Sequence, residues 1–514
     1  AVLLGEGFQW GFRLGYEGPR QRRWAENLKS AREHQGIVQC KLDKEVKEGR
    51  MAGPFHEWPM PDLIVSPIGV VPKKEKGQFR LIQHLSWPEG QSVNDYISDE
   101  VATVTYASLD VALELVCHAG EGAEMAKSDI KSAFRLLPVH PDDFGLLGIQ
   151  FQGCWYVDKA LPMGCAISCA LFETFSTFLQ WVFSEVSGST QVTHYLDDFF
   201  FVGTSGSTDC HRSLASFREL MTDMGVPLAE EKTVGPDTRI TFLGIEIDSI
   251  TMMARLPEEK RRAMLDLIKA MMSRNKVTVR DIQVLLGHLN FACRVVRAGR
   301  TFCRRLSLSL AGKCGQSLPH HRVRLSAGAQ ADLRMWCRFL EDFNGVSIQS
   351  SVREEEWDLQ VLSDAAGQKG FGVYWQGHWC AEEWPADWKN GGRSIAFLEL
   401  FPLVVALVLW GEAFAEKKVT FRVDNMAVVE VVNRQSVRDE RVLRLLRFFV
   451  HQCLIKNIVF RAKHVPGLEN DIADALSRFQ WKRFRGLAMG ADKERTRMPP
   501  EIWEIGRAGF WRWS

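Results

Sequence analysis

Apolar positions follow two different periodicities along the chain. From Leu63 to Ile250, short runs of β-branched and aromatic residues alternate with stretches of helical spacing, which is typical of an α+β domain. The next segments, LPEEKRRAMLDLIKAMM and TVRDIQVLLGHLNFACRVV, have apolar residues at helical spacing, and Pro257 before two acids favours a helix start in the first. From Trp357 onward the pattern predicts three strands, a long helix, a strand, helices, a strand and a final helix.

The chain of 514 residues is too long for one ordinary domain, so we expect about three to four domains. Changes of pattern and turn-rich stretches such as GPFHEWPMPD mark the boundaries. The predicted segments are an N-terminal extension (1–60), an α+β domain (61–250), a basic helical segment (251–345), a linker (346–356), an α/β domain (357–480) and a basic, Trp-rich tail (481–514).

The net charge of +1 conceals an uneven distribution. Residues 251–345 contain 18 Lys and Arg against 7 Asp and Glu, a local net charge of +11. A helical segment of this charge is a candidate contact for a polyanion. Taken alone, such a run is more often a solvated helical face, so both interpretations stay open at this point.

The 12 cysteines form no C-x-x-C pair and no cluster at zinc spacing, so we expect reduced thiols, an intracellular location and no structural zinc. The longest apolar run, Leu400–Trp410, is judged too short to span a bilayer. No signal-peptide layout is present, and no membrane partner is expected. The chain begins with Ala1, which suggests a piece of a larger polyprotein.

Two adjacent acids stand out in HYLDDFFFVG. The apolar flanks predict two strands joined by a tight turn at Leu196–Asp198, with Asp197 and Asp198 at its tip. Adjacent carboxylates at a rigid turn repel each other unless a divalent cation neutralises them, although an exposed acidic turn is the alternative. Asp129, at the end of a strand-like run, supplies a third carboxylate, as two-metal phosphoryl transfer requires.

A second set of four acids follows in the last third of the chain. Asp364 ends a predicted strand, Glu399 comes 35 residues later on a helix, Asp424 another 25 on after a strand, and Asp474 another 50 on in a helix. Four acids brought together could bind two metals for phosphodiester hydrolysis. The alternative for each acid alone is a helix cap or a surface charge.

Several motifs of residues 63–300 resemble those of reverse transcriptases, in the same order. SPIGVVPKKEKGQFRLIQHLS is similar to the fingers strands, which implies that Arg80 and either Lys73 or Lys74 bind the incoming triphosphate. Residues 61–250 would then be fingers and palm, in a right-hand polymerase. Phe134, five residues after Asp129, falls at the steric-gate position that selects deoxynucleotides.

Other motifs extend this resemblance. ALPMGCAISCALFE is similar to the motif that lines the nucleotide path, with Met163 in place of a glutamine before Gly164. Lys232 occupies the position of a general acid for pyrophosphate release, and FLGIEI is similar to the primer grip. DIQVLLGHLNFA resembles the thumb helix, so beside a polymerase centre the basic segment is better interpreted as a thumb and connection that contacts phosphates.

The order strand-Asp, helix-Glu, strand-Asp, helix-Asp resembles ribonuclease H domains, and NDIADALSR is close to the retrotransposon form. Pro402, three residues past Glu399, is expected either in the first turn of the long helix or at a kink. His464 is offset from the family's histidine, so that role is not assigned to it. The resemblance implies two Mg²⁺ ions in each active site, with Mn²⁺ as the alternative, and cleavage of the RNA strand of an RNA/DNA hybrid.

RMAGPF, LIQHLSWPEGQSVNDYI and KSDIKSAFRLLPVHPDD look most like DIRS-like and Ngaro-like tyrosine-recombinase retrotransposons. That resemblance implies an RNA template, a DNA primer and dNTPs as partners, a downstream tyrosine recombinase, and action in the cytoplasm or nucleus. Gypsy-like elements and pararetroviruses are the next nearest families. A decayed copy that binds hybrids without chemistry is the alternative function, although all seven acids are present.

Overall fold

Strands and helices alternate throughout the described part of this computed structural model, which comprises residues 2–73, 77–310, 320–342, 344–348, 359–389, 393–415, 417–467 and 469–507. The chain divides into two units. Unit 1 consists of Ala1–Phe242 and Asp248–Thr251, and unit 2 consists of Leu243–Ile247 and Met252–Ser514. Both units combine helices with sheets, so the predicted α+β class is confirmed.

Unit 1 contains helices and mostly short strands. Its α-helices are α1 (Val2–Trp10), α2 (Lys29–Glu33), α3 (Gln35–Lys47), α4 (Asp99–Ala102), α5 (Leu109–Ala119), α6 (Ser168–Ser187) and α7 (Asp209–Asp223). Its strands are β1 (Arg23–Trp24), β2 (Met51–Phe55), β3 (Ile64–Val65), β4 (Ile68–Pro72), β5 (Phe79–Gln83), β6 (Glu124–Asp129), β7 (Gly148–Phe151), β8 (Cys154–Asp158), β9 (Val192–Tyr195), β10 (Asp198–Gly203), β11 (Val234–Asp237) and β12 (Arg239–Phe242). Short 3₁₀ helices cover Asn94–Tyr96, Ala133–Leu136, Pro141–Leu146 and Glu230–Lys232.

Three sheets organise unit 1. A five-stranded sheet has the order β1-β3-β7-β8-β2, a four-stranded sheet has the order β11-β6-β10-β9, and β4 pairs with β5 in a separate hairpin. The predicted pair of strands around the two adjacent acids is confirmed as β9 and β10, which are antiparallel. The four-stranded sheet is therefore the element that carries the first set of acids.

Strand β10 is buried on both of its faces. Phe199, Phe200 and Phe201 are each 0% exposed. Phe201 packs edge-on against Phe183 of α6, while Phe200 stacks on Phe242 with 4.7 Å between ring centroids. Burial of each such side chain stabilises the fold by about 1.5–3 kcal/mol. This apolar anchoring makes the hairpin a rigid support for whatever lies at its turn.

The segment predicted as an N-terminal extension lies within unit 1 and contributes to its core. Phe12 and Leu14 are buried, and Phe12 forms a bridge with Val139. Arg13 and Arg20 pair with the buried Asp143. Residues 1–60 thus form part of the hydrophobic core that supports the four-stranded sheet.

Unit 2 begins with helices and ends with a second sheet. Its strands are β13 (Ile245–Asp248), β14 (Met253–Arg255), β15 (Val277–Thr278), β16 (Arg322–Val323), β17 (Val346–Ser347), β18 (Leu359–Ala366), β19 (Gly370–Trp375), β20 (His378–Glu383), β21 (Lys418–Val423) and β22 (Val459–His464). Its α-helices are α8 (Glu258–Met272), α9 (Val279–Ala292), α10 (Arg304–Leu308), α11 (Ala327–Asp342), α12 (Ala386–Lys389), α13 (Ile395–Phe414), α14 (Met426–Arg434), α15 (Glu440–Ile455), α16 (Asp471–Ser477), α17 (Trp481–Leu487) and α18 (Ile502–Ile505). A 3₁₀ helix covers Arg297–Cys303.

The second sheet has the order β20-β19-β18-β21-β22. Strand β19 is antiparallel to both β18 and β20, whereas β21 is parallel to β18 and to β22. The predicted order of three strands, a long helix, a strand, helices, a strand and a helix is confirmed. The central strand β18 therefore lies between a hairpin and a parallel pair, where helices can cover both faces.

Helix α13 is largely apolar, as suits a helix that packs against β18, β19 and α15. Its 20 residues, with a mean hydropathy of 2.0 and 72% burial over an 18-residue window, are long and apolar enough to cross a membrane by length and composition alone. The apolar run Leu400–Trp410 is the middle part of this longer helix. Of the two alternatives for Pro402, the first-turn position was wrong, because Pro402 lies inside the helix beyond its first turn.

A linker (346–356) and a basic, Trp-rich tail (481–514) were predicted at the two ends of the α/β domain. Residues 346–348 of the predicted linker are described and include β17, whereas the remainder lies outside the described residues. The C-terminal segment packs within unit 2: Phe484 of α17 contacts Trp379 of β20 with 5.0 Å between ring centroids, and Arg507 pairs with Asp387 of α12. The described part of the tail is therefore integrated into unit 2.

A buried ion pair joins the basic helical segment to the α/β domain within unit 2. Asp332 of α11 is 0% exposed and accepts a hydrogen bond from Arg447 of α15. Arg305 lies 3.9 Å from the same carboxylate, and the Arg447 guanidinium lies 4.8 Å from the centre of the Phe302 ring. Removing one partner of such a pair leaves an uncompensated buried charge.

We expect Arg447→Met to destabilise the α11–α15 contact by about 3–5 kcal/mol, because the Asp332 carboxylate loses its nearest cation. The double variant Asp332→Leu/Arg447→Met removes both charges and recovers most of this loss. Native-state hydrogen exchange of the α11 and α15 amides measures the effect. Arg434→Met, which removes a mostly exposed arginine, is the control. Equal exchange in Arg447→Met and Arg434→Met would contradict the prediction.

Candidate active sites

The four-stranded sheet brings the first three acids to one end of neighbouring strands. Asp129 is the last residue of β6, Asp198 is the first residue of β10, and the two are paired in the antiparallel register. Asp197 precedes Asp198 in a two-residue turn, where Leu196 has a positive φ of 53°. The predicted set Asp129, Asp197 and Asp198 is therefore adjacent in space.

Burial makes negative charge costly at this turn. Burial, then the charges of Asp197 and Asp129, raise the pKa of Asp198 to about 6, and a hydrogen bond with the Asp129 carboxyl contributes. Burial and Asp129 also raise the pKa of Asp197, although Lys232 and Arg80 oppose this rise. A divalent cation would relieve this repulsion, so the residues present fit a metal site.

Lys232 is the cation closest to these acids. Its Nζ lies 2.9 Å from both carboxylate oxygens of Asp129. Burial lowers the pKa of Lys232, but the hydrogen bond and charge of Asp129 outweigh it and raise that pKa overall. A bidentate ammonium contact therefore balances the charge of Asp129.

Residues that were not predicted from the sequence hold the turn. Glu173 of α6 is buried, and its Oε2 accepts a hydrogen bond of 3.1 Å from the Leu196 N–H. Its Oε1 lies 3.3 Å from Nε2 of His194, whose ring stacks on Phe199. The Glu173 carboxylate thus fixes the strained backbone immediately before Asp197. No sequence signal distinguishes it from a surface glutamate on a helix.

The β4–β5 hairpin carries the predicted phosphate-binding cations. Arg80 is exposed on β5 opposite Val71, and its charge acts on Asp197. Lys73 is exposed at the end of β4, and its N–H donates to the Gln78 carbonyl. Lys74 lies outside the described residues. Of the two predicted phosphate-binding cations that the structure describes, the charge of Arg80 opposes the rise in the pKa of Asp197.

The remaining predicted nucleotide contacts differ in exposure. Phe134 is 9% exposed and packs on Phe172 with 5.1 Å between ring centroids, whereas Met163 is 41% exposed. Gly164 has a φ of 104°, and its carbonyl accepts a hydrogen bond of 2.8 Å from Asn94 Nδ2. The turn at Gly164 is therefore held by the Asn94 side chain, which was not among the predicted site residues.

The second set of acids converges more tightly. Asp364 lies on β18, Glu399 on α13 and Asp424 directly after β21, and their carboxylate oxygens lie within 4.8 Å of one another. Within the described residues, this is the place where three acids approach so closely. Carboxylate oxygens at this spacing are suited to a hard divalent cation.

The electrostatics of this cluster also fit a cation. Burial, followed by the charges of Asp364 and Asp424, raises the pKa of Glu399 to about 9. Burial raises the pKa of Asp364 to about 6, although a hydrogen bond from Ser477 opposes it. Glu399 Oε2 is buried and accepts no hydrogen bond from any described residue. An unpaired buried carboxylate oxygen is costly unless a cation compensates it.

Asp474, the fourth predicted acid, lies nearby but outside the tight cluster. Its carboxylate accepts hydrogen bonds from Arg478 Nε at 2.5 Å and Arg483 NH1 at 2.6 Å. Burial raises the pKa of Asp474, but these two hydrogen bonds outweigh it and hold the pKa below its usual range. His464 Nε2 lies 3.2 Å from the Asp424 backbone carbonyl. The structure therefore brings three of the four acids together.

The positive charge of the basic segment is partly neutralised within unit 2. Arg261 and Arg262 both pair with Glu258 on the first turn of α8, and Arg305 approaches Asp332. For the other lysines and arginines of the basic segment, contact with phosphates stays a prediction.

Comparison with known proteins covers the segment that contains the first site. Residues 71–247 match the family described as "Reverse transcriptase (RNA-dependent DNA polymerase)". This segment contains Asp129, Asp197 and Asp198.

Viral polymerases are among its relatives. Protein P of Duck hepatitis B virus (strain Germany/DHBV-3) is 30% identical over 169 residues, which are 32% of this chain and 20% of that protein. The Pol polyprotein of Equine infectious anemia virus (isolate 1369) is 27% identical over 297 residues, which are 54% of this chain and 22% of the polyprotein. The chain spans about a fifth of the length of these curated relatives.

Solved structures share the fold over most of the chain. The foamy viral protease-reverse transcriptase in complex with RNA/DNA hybrid has a TM-score of 0.53 at 16% identity, covering 89% of this chain and 57% of that one. The foamy viral protease-reverse transcriptase dRH in complex with ds DNA also has a TM-score of 0.53, at 17% identity, covering 87% and 72%. The chain thus has an α+β polymerase fold followed by a further domain.

We expect Glu173→Ala to increase hydrogen exchange at the Leu196 and Asp197 amides roughly tenfold, because the Leu196 N–H loses its buried acceptor. Glu173→Gln keeps a side-chain oxygen and should exchange nearly as slowly as the parent. Mass spectrometry of peptides spanning β9 and β10 provides the measurement. Glu185→Ala, on an exposed position of the same helix, is the control; similar protection in all variants would contradict the role of Glu173.

We expect the metal-free α/β domain to lose stability as the pH rises from about 5 to 9. The pKa of Glu399 is raised from 4.5 to about 9 in the folded chain, so the folded state binds more protons than the unfolded state throughout this window. Mg²⁺ should restore the melting temperature most at high pH. Thermal unfolding between pH 5 and pH 9, with and without Mg²⁺, measures both effects.

Glu399→Gln should flatten this pH dependence, because an amide does not titrate. Glu412→Gln, at an exposed position of the same helix, should leave it unchanged. A parent profile that does not fall with pH would contradict the assignment.

Proposed function

We propose that the chain is an RNA-directed DNA polymerase with an associated ribonuclease H activity. The observation that carries the proposal is the register of β6 and β10, which sets Asp129 beside Asp197 and Asp198 inside a segment that matches the reverse transcriptase family. The tight cluster of Asp364, Glu399 and Asp424 supports the second activity. The substrates would be an RNA template, a DNA primer, dNTPs and the RNA/DNA hybrid product.

In the polymerase site, Asp129, Asp197 and Asp198 would hold two Mg²⁺ ions. Bound Mg²⁺ would activate the primer hydroxyl and neutralise the triphosphate. Lys232 would leave the Asp129 carboxylate and protonate the departing pyrophosphate. Arg80, with Lys73 or Lys74, would bind the triphosphate through charge-assisted hydrogen bonds.

Other residues of unit 1 would set nucleotide specificity. Phe134 packs against Phe172 with little exposure, and a fixed aromatic edge is suited to excluding a ribose 2′-hydroxyl. Met163 and Gly164 would line the nucleotide path, with the turn held by Asn94. Fingers and palm would occupy residues 61–250, and the basic segment 251–345 would be the thumb and connection.

In the nuclease site, Asp364, Glu399 and Asp424 would hold Mg²⁺, with Asp474 as a fourth ligand. Bound Mg²⁺ would lower the pKa of a water for attack on an RNA phosphodiester. The raised pKa of Glu399 keeps this acid neutral near pH 7. Glu399 would therefore have to lose a proton before it could bind a cation as a carboxylate. Asp474 would have to exchange contacts with Arg478 and Arg483 before it could bind a cation.

We also propose that the chain comes from a DIRS-like or Ngaro-like tyrosine-recombinase retrotransposon. The blocks LIQHLSWPEGQSVNDYI and KSDIKSAFRLLPVHPDD support this origin. A tyrosine recombinase of the same element would then be a partner, and reverse transcription would occur in the cytoplasm or nucleus. Genomic sequence that flanks the coding region tests this origin: a recombinase open reading frame supports it, and an integrase opposes it.

We expect single substitutions to separate the two activities. Asp197→Asn should reduce primer extension on an RNA template by about a hundredfold or more while RNA cleavage in a preformed hybrid persists. Glu399→Gln should show the reverse effect. Extension and cleavage of end-labelled substrates with Mg²⁺ are measured in parallel, with Asp223→Asn, at an exposed position of α7, as the control.

Loss of both activities in either single variant would argue against two independent centres. Hybrid binding by the parent without extension or cleavage would favour the alternative of an inert copy.

A further inference from the structure

The short 3₁₀ helix that carries Phe134 is anchored by the side chain of the next residue, Arg135. Its Nη1 and Nη2 atoms donate hydrogen bonds of 2.8 and 2.7 Å to the two carboxylate oxygens of Asp158, the last residue of β8. Its Nε and Nη2 atoms donate to Oε2 of Glu45 on α3 at 3.1 and 2.9 Å. Nη1 also donates to the Ala160 carbonyl at 2.9 Å. One guanidinium therefore joins the 3₁₀ helix to β8 and to α3.

This network of ion pairs is largely withdrawn from water. The side chains of Arg135, Asp158 and Glu45 are 16%, 6% and 20% exposed. Arg50 also pairs with Glu45, with 2.8 Å between Nη2 and Oε1, so two arginines and two acids alternate along one chain of ion pairs. A guanidinium offers its donors in a rigid planar fork. Because the fork meets two carboxylates at once, the network holds Arg135 in one orientation.

The backbone immediately before Phe134 has an unfavourable conformation. Ser132 has a φ of 63° and Ala133 has a φ of 25°, so two consecutive residues with a Cβ atom lie in the region that favours glycine. Such conformations persist only where the surrounding structure fixes them, and they concentrate at functional sites. The Arg135 N–H closes this turn on the Ser132 carbonyl at 2.7 Å. Release of the Arg135 side chain would therefore let the turn relax and displace Phe134.

We propose that Arg135 is a positioning residue for Phe134 and thereby sets how strictly the polymerase site rejects ribonucleotides. The inference rests on the proposed function, in which Phe134 excludes the 2′-hydroxyl. A ring that rejects a substrate by collision is effective only if it resists displacement. Phe172 packs against the ring with 5.1 Å between ring centroids, whereas Arg135 holds the backbone from which the ring projects. Asp158 and Glu45 act on sugar selectivity through Arg135.

Single-nucleotide primer extension by the full chain on an RNA template tests this role, with kcat/KM measured separately for a dNTP and the matching rNTP. Arg135→Lys keeps a cation beside the buried Asp158, but an ammonium group lacks the fork that reaches Asp158 and Glu45 together. It should raise kcat/KM for the rNTP roughly tenfold and change that for the dNTP by less than about twofold. The double variant Arg135→Met/Asp158→Leu leaves no uncompensated charge at Asp158 and should lose selectivity equally.

Two further variants separate this role from a merely structural one. Phe134→Val should itself raise rNTP incorporation, and adding Arg135→Lys should raise it no further, because the ring through which Arg135 acts is gone. Arg20→Lys is the matched control, since Arg20 also pairs with a buried acid of unit 1, Asp143. The 3₁₀ helix of Asp143 does not carry Phe134, so this control should keep the parent's sugar selectivity.

Hydrogen exchange without nucleotide gives a measurement that does not depend on activity. The Arg135 and Leu137 amides donate to the Ser132 and Phe134 carbonyls and so report on the turn. Arg135→Lys should speed exchange at both amides, because the turn loses its anchor.

Three results would overturn the inference. The first is unchanged discrimination between rNTP and dNTP in Arg135→Lys and in the double variant. The second is an equal gain in rNTP incorporation when Arg135→Lys is added to Phe134→Val. The third is unchanged exchange at the turn. A parent that incorporates no dNTP would instead contradict the proposed function, while exchange would still decide whether Arg135 positions Phe134.

Discussion

Burial of negative charge is the constraint on which both candidate sites depend. Each site places carboxylates at the edge of an apolar sheet, where loss of water penalises the charged form. The raised pKa values of Asp198 and Glu399 express that penalty. The cores around β10 and α13 supply the stability that offsets it, and nearby cations or hydrogen-bond donors hold those carboxylates that remain charged. The charge and the ligand atoms of both sites would suit a divalent cation.

The sequence predicted the position of acidic side chains where these side chains follow a clear strand pattern. Two adjacent aspartates between apolar runs predicted a tight turn between two strands, and β9 and β10 form as that pattern predicts. This prediction relies on local periodicity, which fixes where a side chain leaves its strand or helix. The convergence of Asp364, Glu399, Asp424 and Asp474 was expected from the resemblance to ribonuclease H domains, and the first three of them do converge.

Contacts between polar side chains that lie far apart along the chain were not predictable from such patterns. Glu173 reads as a helical surface residue until its contact with Leu196 is seen, and Asp332 lies 115 residues from Arg447. Asp474 was expected among the ligands, but two arginines that follow it along the chain hold its carboxylate. Pairwise contacts of polar side chains depend on tertiary placement, and a single sequence contains no periodic signal for them.

The contact between Lys232 and Asp129 also affects the chain when no metal is bound. The Lys232 ammonium group donates hydrogen bonds to both carboxylate oxygens of Asp129, which lies 103 residues away along the chain. Lys232 is therefore a counterion for Asp129 that the chain itself supplies. A tethered counterion has a constant effective concentration, whereas the supply of free cations varies. The segment that carries these acids can therefore fold without a bound ion. A cation that binds to Asp129 must compete with Lys232, which is part of the same chain.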